Sequence, residues 1–280
     1  MQSVRGKAET VDLLNVKSDA LGRTIRRGVI LSAKRANKGH IGSALSVADL
    51  VAVALLSARD LGDTDGDRVV LSKGHAALAL YVGLCEMGLL SEATLETYSK
   101  DGSPLGTHPD PVVKGIDVMT GSLGQGVAFA VGIALGAKLR GLDRHVIAIM
   151  SDAELNEGST WEAIHVAQHQ ALGNLTVLLD CNGQQAFGYT KDVQALPDLA
   201  AQIGATRWDV HETDGHAPEL ITSLIESKRV TGGAPQMIIA RTTFGSGVSF
   251  MERSIPWHYL PLDDEHFAIA MRELGEDGNA

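Results

Sequence analysis

The stretch from Ile147 to Gly188 constrains this chain more than any other. It reads I-A-I-M-S-D-A-E-L-N-E-G-S-T-W-E-A, a helical run, then L-T-V-L-L-D-C-N-G-Q-Q-A-F-G. His145 to Met150 has the unbroken apolar character of a buried strand and stops at Ser151-Asp152-Ala153. An amphipathic segment follows from about Ser159 to Leu172. A second apolar run, Leu175 to Leu179, delivers Asp180, Asn182 and Gly183 at its end. Such a strand–helix–strand crossover is right-handed almost without exception. Both polar clusters therefore fall on one edge of a parallel sheet, the edge at which open α/β sheets bind ligands. Asp152 and Asn182 are 182 − 152 = 30 residues apart, one full crossover. A carboxylate, an amide oxygen and a backbone carbonyl there make a hard-oxygen half-shell, suited to Mg²⁺ or Ca²⁺ rather than zinc. Magnesium commonly completes its octahedron with phosphates and water, so the residues read as a cation-bridged diphosphate site. By themselves, an Asp and an Asn at strand ends are more often turn residues and helix caps.

Composition narrows the partners. A net charge of −10 argues against nucleic acid or an anionic membrane. The two cysteines, Cys85 and Cys181, form no disulfide framework or metal pattern, which predicts a reducing cytoplasm. The first residues lack the apolar core of a signal peptide, and no run reaches membrane-spanning length.

Along the chain, helical spacing predicts a helix over Asp12 to Ala36 and another over Val47 to Ala58 capped by Ser46. Asp67 to Leu71 reads as a strand, followed by a turn and a helix to about Met87. Thr120-Gly121-Ser122-Leu123-Gly124-Gln125-Gly126 opens a small-residue helix to about Leu139. A glycine-rich turn before a helix is a generic phosphate cradle. Helices are expected over Asp192 to Ile203, Pro218 to Lys228 and Asp263 to Leu274, with strands over Trp208 to His211 and Gln236 to Ala240. The stretch Gly233 to Trp257 reads as mostly loop.

Several motifs together resemble the transketolase branch of the thiamine-diphosphate-dependent enzymes. S-D-A-E-L-N-E-G followed by C-N-G is similar to that superfamily's G-D-G and N-G pair. G-H-I-G-S-A-L-S, D-R-V-V-L-S-K-G-H-A, G-T-H-P, T-G-S-L-G-Q-G and A-R-T-T-F-G-S-G-V-S-F-M-E, with W-H after it, resemble transketolase segments in the family's order. The likeness spans about Leu13 to Gly275. It implies a three-layer α/β/α fold with a mostly parallel sheet, and one diphosphate-binding domain over 1–280 with a terminal helix and polar tail from about 263.

The resemblance also assigns roles. Asp152, Asn182 and the Gln184 carbonyl would hold Mg²⁺, with Ca²⁺ or Mn²⁺ as substitutes. Gly121, Ser122, Leu123, Asp152, Ala153, Glu154, Asn182, His75 and His258 would contact thiamine diphosphate. His40, His75, His108 and His258 would move protons at the reacting end, and Glu157 and Glu162 would join a carboxylate chain linking two active sites. Asp214-Gly215-His216 would be a structural turn. Three departures stand out: Ser151 and Ala153 replace both glycines of G-D-G, and Ile41 replaces a proline. Alanine keeps the N–H and adds only a methyl, so binding is expected to survive.

The family's pyrimidine-binding domain and its catalytic glutamate have no counterpart in this sequence. The implied protein is the amino-terminal subunit of a split transketolase. Paired as α2β2 with a separate carboxyl-terminal subunit, it would transfer a two-carbon ketol unit from a ketose, commonly phosphorylated, to an aldose. Two alternatives remain at this point: a 2-oxo-acid dehydrogenase E1-type subunit, and a catalytically inactive interaction subunit.

Overall fold

The computed structural model describes residues 2–231 and 233–275. Helices α1 (Gln2–Ala36), α2 (Ile41–Ser46) and α3 (Ala48–Ser57) lead to strand β1 (Arg68–Leu71). Then come α4 (Ala77–Glu86), α5 (Glu92–Leu95), α6 (Gln125–Leu139), β2 (Val146–Ser151), α7 (Gly158–His169) and β3 (Leu175–Cys181). A hairpin, β4 (Gln184–Gln185) and β5 (Gly188–Tyr189), precedes α8 (Thr190–Val193), α9 (Leu199–Gly204) and β6 (Asp209–Asp214). The chain continues through α10 (Pro218–Thr231), β7 (Gln236–Arg241) and α11 (Asp264–Glu273). The polar tail expected after the last helix falls partly at 276–280, outside the described residues.

Five strands form a sheet in the order β1-β2-β3-β7-β6, every neighbouring pair parallel. Strand alternation divides its side chains between two cores. Val69, Leu71, Ile147, Ile149, Leu178 and Ile238 pack with α1, α3, α4 and α10 on one face. Val70, Ala148, Met150, Val177, Leu179 and Ile239 pack with α6, α7 and α9 on the other. A strand buried on both faces needs no polar side, which is why β2 and β3 read as continuous apolar runs. The result is the expected three-layer α/β/α arrangement. Among the described residues, no helix is long and apolar enough to cross a membrane.

Two local expectations fail for physical reasons. Ser46 does not cap the following helix: Val47 takes the N-cap position of α3 without a side-chain cap, and Ser46 Oγ instead donates to Asp180 Oδ1 at 2.7 Å. The expected helix over 192–203 is two short helices. Pro197 disfavours helical backbone before it, and Asp198, at φ 47°, starts α9 by accepting the Ala201 N–H.

Close approach explains one glycine of the phosphate-cradle turn. A Cβ on Gly126 would lie 2.5 Å from Ser72 Cα, so α6 can meet the end of β1 only without a side chain there. Gly126→Ala is expected to cost about 1–3 kcal/mol through overpacking, read as a lowered melting temperature. An unchanged melting temperature would show that the two segments can separate freely.

Candidate active site

The loops leaving the carboxyl ends of β1, β2, β3 and β7 enclose a cleft of about 450 Å³. Lys73 and His75 enter from β1, Ser151, Ala153, Asn156 and Glu157 from β2, and Asn182 and Gln184 from β3. Phe244, His258 and Tyr259 enter from the segment after β7, and His40, His108, Gly121 and Leu123 complete the wall. A more open hollow of about 770 Å³ lies at the opposite edge of the sheet, between Lys138, Arg144 and Arg229. It contains none of the residues the sequence singles out.

The floor of the cleft is built on β2 and β3, where Ser151 pairs in register with Asp180. Asp152 is 2 % exposed. One carboxylate oxygen accepts the Gly183 N–H at 2.9 Å and the Thr190 hydroxyl at 3.2 Å, and the other accepts the Ala153 N–H at 3.0 Å. Burial, and secondly the neighbouring Asp180 carboxylate, push the Asp152 pKa up to about 6. Asn182 follows directly, its Oδ1 accepting the Gln184 N–H at 2.9 Å. Asp152 does not itself line the cleft but is tied through the Gly183 N–H to the Asn182–Gln184 turn, at the neighbouring ends of β2 and β3.

The donor chemistry fits a hard divalent cation beside a diphosphate. A buried, electrostatically strained carboxylate is what a cation would relieve, and an amide and a carbonyl oxygen are hard ligands. The side-chain oxygen and nitrogen of Gln184, Asn156 Nδ2, His40 Nδ1 and His258 Nδ1 are all buried without a partner around this cleft. Polar atoms left so are costly unless a ligand or water meets them. Among the described residues no three His, Cys, Asp or Glu side chains group as a metal cage.

The replaced glycines impose no backbone penalty. Neither Ser151, at φ −98°, nor Ala153 adopts a positive φ. Ser151 gains a use instead: its N–H donates to Glu154 Oε2 as one half of a capping box, and its hydroxyl adds a second bond to the same oxygen. Glu154 departs from expectation. It is fully buried, and its other oxygen accepts the Ser72 hydroxyl and the Gly124 N–H at 3.0 Å. Its carboxylate stands behind the cleft and ties three loops together, so it offers no free oxygen to a bound cofactor.

Three histidines meet at the reacting end. The ring of His40 lies 5.6 Å from His75 and 5.2 Å from His258, and those two are 5.6 Å apart. His40 sits at φ 61°, a left-handed conformation uncommon for a side-chain-bearing residue, and its N–H donates to the His258 carbonyl at 3.1 Å. Phe244 stacks on His258 at 5.9 Å with an interplanar angle of 11°. Burial is the leading cause that lowers all these imidazoles. His258 falls to about 4, helped by His40 and Lys73, and His75 falls well below its ordinary value, helped first by Lys73. His40 and His108 are also lowered. At neutral pH each ring is therefore neutral and holds both an N–H donor and an acceptor nitrogen.

Not every expected residue reaches the cleft. Gly121, Leu123 and Glu157 line it, while Ser122 is exposed beside it. Glu162 is exposed on α7, outside the cleft. His216 is structural, as expected: Nδ1 lies 2.7 Å from Asp49 Oδ2, and Nε2 accepts the Thr243 N–H at 2.9 Å. Cys181 is inert, because burial and secondly Asp152 push its thiol up to about 12. Sequence reading missed a buried pair beneath the floor, Lys73 with Asp180, which are 1 % and 0 % exposed. No local pattern announces it, because the partners are 107 residues apart and meet only through the sheet order.

The model of the transketolase thiamine diphosphate binding domain matches residues 18–280. The chain belongs to the transketolase family. It is 34% identical over 260 residues to the 6-deoxy-6-sulfo-D-fructose transketolase subunit of Clostridium sp. (strain MSTE9), covering 91% of this chain and 94% of that one. It is 34% identical over 275 residues to an apulose-4-phosphate transketolase subunit of Phocaeicola vulgatus, covering 96% and 95%. Among solved structures, transketolase from Leishmania mexicana superposes with a TM-score of 0.85 at 28% identity, over 94% of this chain and 42% of that one. The Campylobacter jejuni enzyme gives 0.85 at 28% identity, over 96% and 44%. The chain thus spans under half of those single-chain transketolases yet nearly all of the subunit relatives. Over its length it corresponds to the amino-terminal subunit of a two-chain transketolase. The 2-oxo-acid dehydrogenase alternative is set aside.

In this transketolase-family chain, a pH effect on folding arises away from the cleft. His145 is buried, Nε2 lies 2.9 Å from Thr176 Oγ1, and burial, with Arg229 second, lowers its pKa from 6.5 to about 3. Between those values the unfolded chain binds a proton that the folded chain refuses, so this group makes stability fall as pH drops from about 6.5 toward 3. Asp152, raised to about 6, acts in the opposite sense as pH drops through 6 toward 3.8. His145→Gln should flatten the fall in melting temperature between pH 7 and pH 4.5. Equal slopes in variant and wild type would show that His145 titrates normally in the fold.

Proposed function

We propose that this chain supplies the diphosphate- and cation-binding half of a two-chain transketolase that moves a two-carbon ketol unit from a ketose, commonly phosphorylated, to an aldose. The observation that carries the reading is that Asn182 and Gln184, tied to the buried Asp152 through the Gly183 N–H, share one cleft with three clustered neutral histidines. Asp152, Asn182 and the Gln184 carbonyl hold Mg²⁺, for which Mn²⁺ or Ca²⁺ substitutes, and the backbone from Gly121 to Leu123 and at Ala153 faces the cofactor. Thiamine diphosphate, when bound, supplies the carbanion chemistry that breaks and forms the carbon–carbon bond. His40, His75 and His258 donate to the sugar oxygens and exchange protons with them as charge develops, and His108 faces the same pocket. Neutral rings suit this task, since each can donate or accept. Glu157, at the rim, and Glu162, exposed on α7, would join a carboxylate chain that links two active sites across the assembly.

The remaining wall, with the pyrimidine-binding domain and its glutamate, comes from a carboxyl-terminal partner subunit in a cytoplasmic α2β2 assembly. In this reading the 280 residues form one diphosphate-binding domain. The test is a calorimetric titration of the two-chain complex with thiamine diphosphate, with Mg²⁺ and then with EDTA. Saturable binding that EDTA removes supports the reading. A folded complex that ignores the cofactor overturns it and favours an inactive interaction subunit.

A further inference from the structure

The side chain of Asn182 can present a cation with oxygen or with nitrogen, and what faces its other end decides which. Here Nδ2 donates to Asp180 Oδ2 at 3.0 Å and to Ser46 Oγ at 3.1 Å. Asp180 is fully buried near the end of β3, where its carboxylate also takes the Lys73 ammonium and the hydroxyls of Ser46 and Thr242. A carboxylate beside a buried ammonium accepts hydrogen bonds and donates none, so an amide oxygen turned toward it would be repelled. The nitrogen is thereby held inward and Oδ1 outward, next to the Gln184 N–H.

We propose that Asp180, held by Lys73, Ser46 and Thr242, is a positioning residue that locks the Asn182 amide with its oxygen toward the cation. Asp180 touches neither substrate nor cofactor in this arrangement; it acts through Asn182. The inference rests on the cation-binding reading above and adds a residue set to it. The fold supplies the parts from four places: Ser46 ends α2, Lys73 follows β1, Asp180 lies on β3 and Thr242 follows β7. Substituting any one of the three supports loosens a lock that the others still define, while replacing Asp180 removes it.

The test is Mn²⁺ affinity, read by electron paramagnetic resonance on the two-chain complex with thiamine diphosphate present. It compares wild type, Asp180→Asn, Asn182→Asp and the exchanged pair Asp180→Asn with Asn182→Asp. In Asp180→Asn the residue at 180 presents either an oxygen or an NH₂ to Asn182, and the lock is lost. Affinity should fall about tenfold or more, within the range for residues that orient metal ligands. In the exchanged pair the amide at 180 donates to a carboxylate at 182, whose oxygens serve the cation whichever way it turns. Most of the affinity should return, and the two changes should be strongly non-additive. Equal weakening in Asp180→Asn and the exchanged pair would overturn the proposal and leave Asp180 a packing residue. Wild-type affinity in Asp180→Asn would overturn it too. Failure of the wild-type complex to bind Mn²⁺ would instead remove the cation-binding reading on which it stands.

Discussion

Asp152→Ala should abolish metal-dependent cofactor binding, with thiamine diphosphate affinity in the presence of Mg²⁺ reduced on the order of a hundredfold or more. The reference is the 10- to 100-fold effect typical of losing a residue that merely orients a ligand, which removal of a ligand should exceed. The fold should survive. Asp152 is buried at a raised pKa of about 6, so its removal takes away a desolvated carboxylate that the protein tolerates for a reason other than stability. Calorimetry with Mg²⁺ checks the first half and a thermal melt the second. A variant that melts like wild type and still binds the cofactor with Mg²⁺ dependence would remove Asp152 from the site.

Lys73→Met should destabilise the protein more than any surface change. Lys73 is 1 % exposed and its partner Asp180 0 %, so the substitution strands a buried carboxylate. Breaking a buried pair from one side costs roughly 3–5 kcal/mol, about 10 °C in melting temperature for a chain of this size. Replacing both partners, Lys73→Met with Asp180→Leu, should recover much of that stability, because no unpaired charge remains. The double variant should nonetheless bind Mg²⁺ and thiamine diphosphate poorly, since the Asn182 amide loses its anchor. A single variant as stable as wild type would mean that water reaches Asp180 and that the pair is not buried in solution.

Much of the architecture was legible because the sheet is buried on both faces. The apolar runs of β2 and β3 and the polar residues that end them placed the floor of the cleft from local pattern alone. Small-residue spacing likewise gave α6 to the residue at its carboxyl end. Part of what failed was decided over long distances. Ser46 has the chemistry of a helix cap, but Asp180, 134 residues on, claims its hydroxyl. Glu154 sits inside a motif associated with the cofactor, yet its carboxylate is taken up by Ser72, 82 residues back, by the Gly124 N–H and by Ser151. The break at Pro197 was readable from the proline itself.

The most direct test of a split active site is a ketol-transfer assay on this chain alone, on its carboxyl-terminal partner alone, and on their mixture. Each is supplied with thiamine diphosphate and Mg²⁺, a ketose phosphate donor and an aldose acceptor. Transfer is expected in the mixture, none with either chain alone, and none in a mixture carrying Asp152→Ala. Transfer by this chain alone, or an intact cofactor-loaded mixture with no transfer to any acceptor, would contradict a split active site.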